Sequence, residues 1–479
     1  MAIDPTGFRE YDARWRYPEQ FDRDGAHDFG LALGTFFFTK HAQPRVICGH
    51  DYRSYAREVQ LALIDGLVAA GVEVIDIGLC LSPMAYFAQT HLQANCVAMV
   101  TASHNPNGWT GVKMGYEVPF TLGPADMAEV KRITLGGHGI RRNSGHLTTA
   151  DITAAYQASA TAGPPLQRKL RVVCATGNGT AGLFLPDILT RLGAEVIPLH
   201  TKPDWTFPHY NPNPEGHEML ADMARAVRDT QADLALGFDG DGDRCGVIDN
   251  LGREISADKM GLLLLRHWAK DHPGRPVVAD VKSTGLFASD PVLKSHAITV
   301  DYWKTGHSYM KRRVAALNAI AGFERSGHYY INTPLGQGYD CAATAAVAIL
   351  RLLDAHPKFS LADLADKLPT TFLTPTLGVA AADEEKYPAL AAISAAIEPH
   401  IATGGTFGGE SVVQVTRVSG LRLTLANGGF ALVRASSNTP NLVVVCESPE
   451  SEANLRAIFA DLNRFIAADP RVGEYDQDW

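Results

Sequence analysis

Short apolar runs rich in valine and isoleucine alternate along the chain with longer segments of helical period. This alternation is typical of βαβ units and predicts mostly parallel sheets with helices packed against them. The pattern starts three times. The predicted strands are 44–50, 72–78 and 96–101, then 169–175, 194–200 and 233–238, then 275–281, 298–303 and 320–323. The helices predicted between them cover 54–70 and 221–230 and begin at Ser82 and Thr180.

One phrase of the pattern occurs twice. LIDGLVAAGVEVIDIG (63–78) resembles LPDILTRLGAEVIPLH (185–200). Each combines the end of a helix, a glycine suited to a left-handed cap and a buried strand. The repeat indicates an internal duplication at the scale of a domain.

The last hundred or so residues have a different pattern. Residues 409–436 alternate like antiparallel strands around an Asn427-Gly428 turn, a helix begins near Glu452, and 371–388 is a plausible linker. The sequence therefore predicts three related α/β domains with mixed, mostly parallel sheets, followed by a C-terminal α+β domain. The predicted domains cover 1–150, 151–251, 252–368 and 369–479.

Composition narrows the possible functions. With 46% hydrophobic and 20% charged residues among 479, the chain has an ordinary globular balance. A formal net charge of −9 argues against nucleic-acid binding, which needs a basic surface. The seven cysteines form no C-x-x-C pair and fit buried thiols in a reducing compartment. The N-terminus is too polar for a signal peptide and the longest apolar run, 341–353, is too short to span a membrane. We therefore expect a cytoplasmic protein without a membrane partner.

A first candidate for chemistry is TASHNPNGWTGVKMG (101–115), in which Ser103 falls just after a predicted strand. Open α/β sheets usually place reactive groups on such loops. His104 offers a potential base, and Lys113 offers a cation that can pair with phosphate. Taken alone, an ordinary loop that contains Ser and His fits the segment equally well.

A second candidate is DGDGDR (239–244), in which three carboxylates alternate with glycines at the end of a buried strand. Acids so close together repel, and a divalent cation with oxygen ligands relieves the repulsion. An EF-hand is excluded, because its obligatory glycine and glutamate positions would fall on Arg244 and Asn250. Few protein ligands and room for phosphate oxygens favour Mg²⁺ over Ca²⁺. A solvated acidic turn is the alternative.

Three further loops are weaker candidates for a functional site. GNGTAG (177–182) matches a dinucleotide fingerprint, but we interpret its glycines as turn and packing residues. GFERSGH (322–328) could contact sugar hydroxyls and RASSNTPNL (434–442) could bind phosphate, although ordinary turns explain each of them alone. The sequence has no G-K-[ST] P-loop, which argues against a kinase of that class.

Taken together, these motifs resemble the α-D-phosphohexomutases, particularly the bacterial phosphomannomutase/phosphoglucomutase group. The resemblance covers nearly the whole chain, from FREYDAR (8–14) through TASHNP, DGDGDR, WKTGHS (303–308) and ERSGH to RASSNTP. It implies a heart-shaped, four-domain enzyme in which each domain lends a loop to a central cleft. The implied reaction interconverts hexose 1-phosphate and hexose 6-phosphate of mannose, glucose or both. It proceeds through a phosphoserine and a hexose 1,6-bisphosphate, with Mg²⁺ as cofactor and the bisphosphate as activator. We expect a monomer or a homodimer.

The resemblance also implies roles for individual residues. Ser103 matches the phosphorylated serine, and the metal ligands are matched by Ser103, Asp239, Asp241 and Asp243. The other residues implied in catalysis are His104, Lys113, Arg244 and His328. Those implied in substrate binding are Tyr11, Arg14, Lys282, His307, Glu324, Ser326, Arg434, Ser436, Ser437, Asn438 and Thr439.

The sequence departs from the family pattern at Trp15, Phe323 and Arg325, which leaves the preferred sugar open. Phosphoglucosamine mutases usually carry alanine where this chain has Gly242, so glucose and mannose phosphates are favoured over amino-sugar phosphates. Two rival hypotheses lie outside the mutases: a magnesium-dependent sugar phosphatase and a non-catalytic protein that binds sugar phosphates.

Overall fold

The computed structural model describes residues 3–436 and 439–479, which form four β-sheets in chain order. We call each sheet with its helices a unit. The domain boundaries expected after residues 150, 251 and 368 remain predictions. No helix in the described part of the chain is long and apolar enough to cross a membrane.

The first sheet has six strands in the order β1-β5-β4-β2-β3-β6. Its strands are β1 (Ala13–Arg16), β2 (Arg45–His50), β3 (Glu73–Leu79), β4 (Cys96–Val100), β5 (Trp109–Gly115) and β6 (His146–Thr149). The helices around it are α1 (Arg23–Lys40), α2 (Ala56–Ala69), α3 (Ser82–His91), α4 (Pro124–Leu135) and α5 (Thr153–Ala160). The three predicted strands correspond to β2, β3 and β4, which are parallel neighbours, whereas β1 and β5 are antiparallel additions.

The second sheet has the order β11-β10-β9-β7-β8. Its elements are β7 (Arg171–Ala175), β8 (Glu195–Leu199), β9 (Leu234–Phe238), β10 (Cys245–Asp249), β11 (Glu254–Ile255), α6 (Leu185–Leu192) and α7 (His217–Thr230). The helix predicted from Thr180 is wrong at its start: Thr180–Leu183 form a 3₁₀ turn. Pro186 lies in the first turn of α6 and has no N–H to donate to the preceding turn, which favours a helix that begins beside it over one that continues from Thr180.

The duplicated phrase corresponds to α2–β3 in the first unit and α6–β8 in the second. Each helix is followed by a glycine with positive φ, +93° at Gly71 and +106° at Gly193. The strand that follows the glycine then pairs in parallel with an earlier strand of the same unit: β3 pairs with β2, and β8 pairs with β7. The first two units therefore share this local arrangement.

The third sheet has the order β13-β12-β14-β15. Its strands are β12 (Val277–Asp280), β13 (Val300–Trp303), β14 (Ala321–Phe323) and β15 (Tyr329–Ile331). Its helices are α8 (Ala257–Trp268), α9 (Leu286–Ser289), α10 (Pro291–Ser295), α11 (His307–Ala316), α12 (Ala342–Ala355) and α13 (Leu361–Ala365). The apolar run predicted as a core helix is α12, and its side chains join one hydrophobic core shared by the first three units.

The fourth sheet is antiparallel and has a core of its own. Its strands are β16 (Phe372–Leu373), β17 (Leu377–Ala380), β18 (Thr406–Phe407), β19 (Glu410–Thr416), β20 (Leu421–Leu425), β21 (Phe430–Ala435) and β22 (Asn441–Ser448), and its helices are α14 (Lys386–Ala402) and α15 (Glu452–Ala467). The linker predicted at 371–388 is wrong, because β16 and β17 lie within it and both pair with β22. Burial of Leu377 and Val379 holds β17 in the sheet.

Candidate active site

Ser103 lies in the loop between β4 and β5, at the carboxyl end of the parallel strands. Its φ of +51° is a left-handed conformation that is uncommon for a residue other than glycine. The Thr101 hydroxyl oxygen holds this turn by accepting a hydrogen bond from the Ser103 N–H at 2.9 Å. The Ser103 hydroxyl donates to the Asp239 carboxylate at 3.0 Å. The serine therefore faces the DGDGDR loop of the second unit.

A buried ion pair that the sequence analysis missed supports the same loop. Arg53 pairs with Asp51, and its guanidinium donates to the carbonyl oxygens of Ser103 at 3.1 Å and Asn105 at 2.6 Å. Asp51 also accepts a hydrogen bond from the Thr101 hydroxyl at 2.9 Å. Both members of the pair directly follow β2, whose end lies beside the end of β4. Polar residues directly after a buried strand were the signal that could have found them.

The three carboxylates of the DGDGDR loop converge after β9. Oxygen atoms of Asp239, Asp241 and Asp243 lie within 4.8 Å of one another, and all three side chains are buried. Burial, Asp243 and Asp241 together raise the pKa of Asp239 well above its usual range. Among the described residues, one oxygen of Asp241 and one of Asp243 are buried without a hydrogen-bond partner. This set of oxygen donors fits a hard divalent cation.

Two glycines let the carboxylates approach the serine. A Cβ atom at Gly240 would lie 2.5 Å from the carbonyl oxygen of Ser103, and Gly242 has a φ of +73°. The GNGTAG loop packs behind them, where the Thr180 N–H donates to the Gly240 carbonyl at 3.1 Å. A Cβ at Gly179 would lie 3.0 Å from the Gly240 Cα, so this loop serves as packing, as the sequence analysis interpreted it.

Lys113 on β5 brings a cation to the carboxylates. Its Nζ lies 2.6 Å from Asp241 and 2.5 Å from Asp243, and the side chain is buried. Burial lowers the pKa of Lys113, but the two carboxylates outweigh burial and raise it well above its usual range. The ammonium group therefore stays protonated in this arrangement.

A short backbone bridge between Arg244 and His328 joins the DGDGDR loop to the ERSGH loop of the third unit. The His328 imidazole contacts Glu324 at 3.0 Å and Asp243 at 3.5 Å. Burial lowers the pKa of His328, but Asp243 and the hydrogen bond with Glu324 outweigh it and raise the pKa to about 9. Arg244 extends towards Glu215 at 3.4 Å and lies 4.0 Å from Asp239.

Glu324 is held from several sides. Its carboxylate accepts hydrogen bonds from the Gly306 N–H and, at 3.0 Å, from the Tyr330 hydroxyl. Burial raises the pKa of Glu324, but its contact with His328 outweighs burial and holds the pKa at about 2. The Ser326 hydroxyl lies 3.2 Å from the His328 Nδ1. The charged carboxylate is thus fixed as a hydrogen-bond acceptor beside a hydroxyl.

Two further histidines, His104 and His307, lie in the cavity wall, and their pKa values are lowered, whereas that of His328 is raised. Burial and the cations Arg244 and Arg14 lower the pKa of His104 well below its usual range, and its Nδ1 lies 3.3 Å from the Ser103 hydroxyl oxygen. Burial and Lys311 similarly lower the pKa of His307. Both imidazoles are therefore neutral at neutral pH.

The first unit contributes Tyr11 and Arg14 to the same cavity. The Tyr11 ring meets the His307 ring edge to face at 4.8 Å between centroids. The Arg14 guanidinium donates to Asp12 at 2.9 and 3.0 Å and also to Asn105 in the serine loop. The substrate-binding residues predicted near the N-terminus thus reach the serine loop and the third unit.

The fourth unit contributes Arg434 at the end of β21. Its side chain is buried, and its Nη1 donates to the Ala435 carbonyl at 2.8 Å. The Ser436 hydroxyl lies 2.6 Å from that of Thr439, which is exposed. The predicted residues Ser437 and Asn438 lie outside the described residues.

All four units meet around one cavity of about 220 Å³. The predicted site residues that line it are Tyr11, Arg14, Ser103, His104, Lys113, Asp243, Arg244, Lys282, His307, Glu324, Ser326, His328, Arg434 and Ser436. The residues that line it do not include Asp239, Asp241 or Thr439. Five of the lining side chains are Lys or Arg, which suits a phosphate-bearing ligand. Fold and site together define an α/β protein with a cavity that suits an anionic ligand, beside a serine and a carboxylate cluster.

Comparison with known proteins assigns the family. Models of phosphoglucomutase/phosphomannomutase α/β/α domains I, II and III match residues 5–138, 153–252 and 256–372. The chain therefore belongs to the phosphoglucomutase/phosphomannomutase family, as the resemblance predicted.

Individual relatives match over nearly their whole length. A phosphomannomutase/phosphoglucomutase of Pseudomonas syringae pv. tomato is 32% identical over 95% of this chain and 93% of its own. A phosphoglucomutase of Neisseria gonorrhoeae is 29% identical over 97% of each chain. The crystal structure of a phosphoglucomutase/phosphomannomutase family protein from Burkholderia thailandensis matches with a TM-score of 0.88 and 28% identity, over 99% of this chain and 100% of that one.

Proposed function

We propose that this chain is a phosphohexomutase that interconverts the 1-phosphate and the 6-phosphate of mannose, glucose or both. Family membership supports the activity. The observation that carries the proposal is the position of Ser103, whose hydroxyl bonds to Asp239 and borders a cavity lined by cations from all four units. Such a cavity can hold a phosphate at each end of a hexose.

In the proposed cycle, phosphorylated Ser103 transfers its phosphoryl group to the free hydroxyl of a hexose monophosphate. The bond between phosphorus and the serine oxygen breaks as a bond to the sugar oxygen forms, which gives hexose 1,6-bisphosphate. The bisphosphate turns end over end, and its other phosphate returns to Ser103. Arg434 holds the non-reacting phosphate, and Glu324 and Ser326 bind sugar hydroxyls in both orientations.

Proton transfer accompanies each phosphoryl transfer, and we propose Lys113 or His328 for it. The carboxylates around both groups keep them protonated, so each can give a proton to the departing oxygen. The conjugate base then takes the proton of the attacking hydroxyl. Arg244 stays charged throughout and pairs with the phosphoserine.

Asp239, Asp241 and Asp243 would hold a divalent cation, for which we propose Mg²⁺. When bound, such an ion supplies positive charge that stabilises the transferring phosphoryl group. We also propose hexose 1,6-bisphosphate as the activator, because it can recharge a Ser103 that has lost its phosphate. Hexose phosphates are then the partners, and the cytoplasmic location and the monomer or homodimer stay predictions.

The test is ³¹P NMR with Mg²⁺, a trace of glucose 1,6-bisphosphate, and glucose 1-phosphate or mannose 1-phosphate in separate tubes. We expect conversion to the 6-phosphate, lost in Ser103→Ala, with the faster tube giving the preferred sugar. Release of inorganic phosphate alone would favour a phosphatase. No change in either tube would contradict the proposal and direct attention to amino-sugar phosphates or to binding without catalysis.

A further inference from the structure

The loop that carries Lys282 is buried under the fourth unit. Lys282 follows β12 and lines the cavity, and the residue before it, Val281, joins an apolar cluster formed mainly by the fourth unit. The buried members of that cluster from the fourth sheet are Phe430, Leu432, Val443 and Val445. The position of the Lys282 backbone therefore depends on how the fourth unit packs.

Arg422 on β20 binds the loop on both sides of this lysine. Its Nη1 donates to the Val281 carbonyl at 2.5 Å and to the Ser283 carbonyl at 2.8 Å. The guanidinium lies between the rings of Tyr302 and Phe430, with its central carbon 4.0 and 3.7 Å from their centroids. Only 1% of this arginine is exposed.

Glu447 on β22 holds the next residues of the same loop. Its carboxylate accepts hydrogen bonds from the Thr284 hydroxyl at 2.7 Å and the Gly285 N–H at 2.6 Å. A Cβ atom at Gly285 would lie 2.4 Å from the carbonyl oxygen of Gly428, so the two backbones touch. Side chains from one face of the fourth sheet therefore bind the loop near both of its ends, at residues 281, 283, 284 and 285.

A buried guanidinium is costly to desolvate, and apolar residues of similar volume often stabilise a protein equally well. The apolar cluster around Val281 already joins the two units. Stability alone therefore does not explain why a buried arginine occupies position 422. Its two bonds instead fix the carbonyls that flank one cavity residue, which is what positioning requires.

We propose that Arg422, assisted by Glu447, is a positioning residue that aims Lys282 into the cavity. β21 pairs with both β20 and β22 and carries Arg434 next to its last residue, so the sheet that holds the loop of Lys282 also carries a second cation of the cavity. This inference rests on the proposed function for its kinetic consequence. The geometric consequence, an ordered 281–285 loop, does not depend on any activity.

The first test compares Arg422→Met with Arg275→Met in the mutase assay. Methionine keeps the packing between the two rings but has no donor for the loop. Arg275 also donates to carbonyls, those of Asn318 and Thr333, but it lies at the opposite end of β12. We expect Arg422→Met to raise KM by about tenfold with kcat changed less, since uniform binding is lost, whereas Arg275→Met leaves both unchanged. Equal effects of the two substitutions would overturn the proposal.

The second test asks whether Arg422 acts through Lys282. In a Lys282→Ala background, Arg422→Met is expected to raise KM by less than twofold, because residues that act as a unit are not additive. Arg422→Lys keeps a donor nitrogen, and we expect its KM to lie between those of Arg422→Met and the wild type. A full tenfold effect in the Lys282→Ala background would show that Arg422 acts elsewhere.

A third readout is independent of catalysis. Hydrogen exchange followed by mass spectrometry should show faster exchange in 281–285 of Arg422→Met and Glu447→Gln, with the strands of the third sheet unchanged. Unchanged exchange in that loop would overturn the inference. If the wild-type chain has no mutase activity, the proposed function fails while this readout still decides whether Arg422 orders the loop.

Discussion

Ser103 adopts its left-handed backbone conformation because side chains outside the TASHNP motif hold it there together with Thr101. Thr101 binds its N–H, and Arg53 binds its carbonyl oxygen. A strained conformation of this kind costs on the order of 1–3 kcal/mol and persists only where the surroundings enforce it. The reactive hydroxyl is therefore positioned by a buried network centred on Arg53 and Asp51.

Arg53→Lys is expected to lower kcat by about 10- to 100-fold, because a compact ammonium does not reproduce the planar fork that spans Asp51 and the two carbonyls, and the serine shifts. Steady-state kinetics with glucose 1-phosphate measure the effect. Arg57→Lys is the matched control, since Arg57 is half-exposed and pairs with Asp76 away from the serine loop. If the two variants keep the same kcat, the network does not position Ser103.

Removal of divalent cations with a chelator is expected to abolish activity, and added Mg²⁺ to restore it. Asp239→Asn should lower kcat by about 100-fold or more, because the side chain loses its negative charge and one of the two oxygens that serve Ser103, the loop backbone and the proposed ion. Calorimetric titration with Mg²⁺ should show weaker binding in this variant but not in Asp187→Asn, which alters an exposed ion pair. Full activity in the presence of chelator would contradict the metal assignment.

At the scale of the elements, two departures from the family pattern are matched by glycines elsewhere. Trp15 is fully buried and stacks on Phe21, and a Cβ at Gly7 would lie 1.9 Å from its ring nitrogen. Phe323 is likewise buried, and a Cβ at Gly261 in α8 would lie 2.5 Å from its ring. The two large side chains are accommodated in the core, so neither alters the cavity directly.

Gly261→Ala is expected to destabilise the protein although alanine favours helices. Helix propensity gains about 1 kcal/mol, but overpacking against Phe323 typically costs about 1–3 kcal/mol. The midpoint of urea unfolding measures the net change. In a Phe323→Leu background the same substitution should cost less, since the ring it clashes with is gone. Equal costs in the two backgrounds would rule out the clash.

The sequence patterns predicted β2–β4, β7–β9 and β12–β14 because each of these strands is a short apolar run, even though β8 and β13 are partly exposed edge strands. They could not predict β1 and β6, which are the polar edges of the first sheet, or the short strands β16 and β17, which are interrupted by Pro375. The same limit applies to the site. Local motifs predicted Ser103 and the DGDGDR carboxylates, whereas Arg53 and Arg422 act on segments far away in the sequence and only the fold brings them there.

At the scale of the whole molecule, four loops from four units meet at one cavity although the chain carries a net charge of −9. Five basic side chains line this cavity, and carboxylates buried behind it pair with several of them. Contacts between units hold this arrangement: the Ser82 N–H binds the Asp241 carbonyl at 3.0 Å and the Cys245 N–H binds the Gly327 carbonyl at 2.9 Å. The catalytic cleft is therefore a property of the assembled chain.

The most direct test of the account is mass spectrometry of the peptide that contains Ser103. The protein is incubated with Mg²⁺ and glucose 1,6-bisphosphate whose phosphoryl groups carry ¹⁸O, freed of the bisphosphate, and then given an excess of unlabelled glucose 1-phosphate. We predict one labelled phosphoryl group on Ser103 after the first step and an unlabelled one after the second, because the label leaves with the sugar and the phosphate of the substrate returns to the serine. An unmodified Ser103, or a labelled phosphate that stays on it while hexose phosphates are interconverted, would contradict the account.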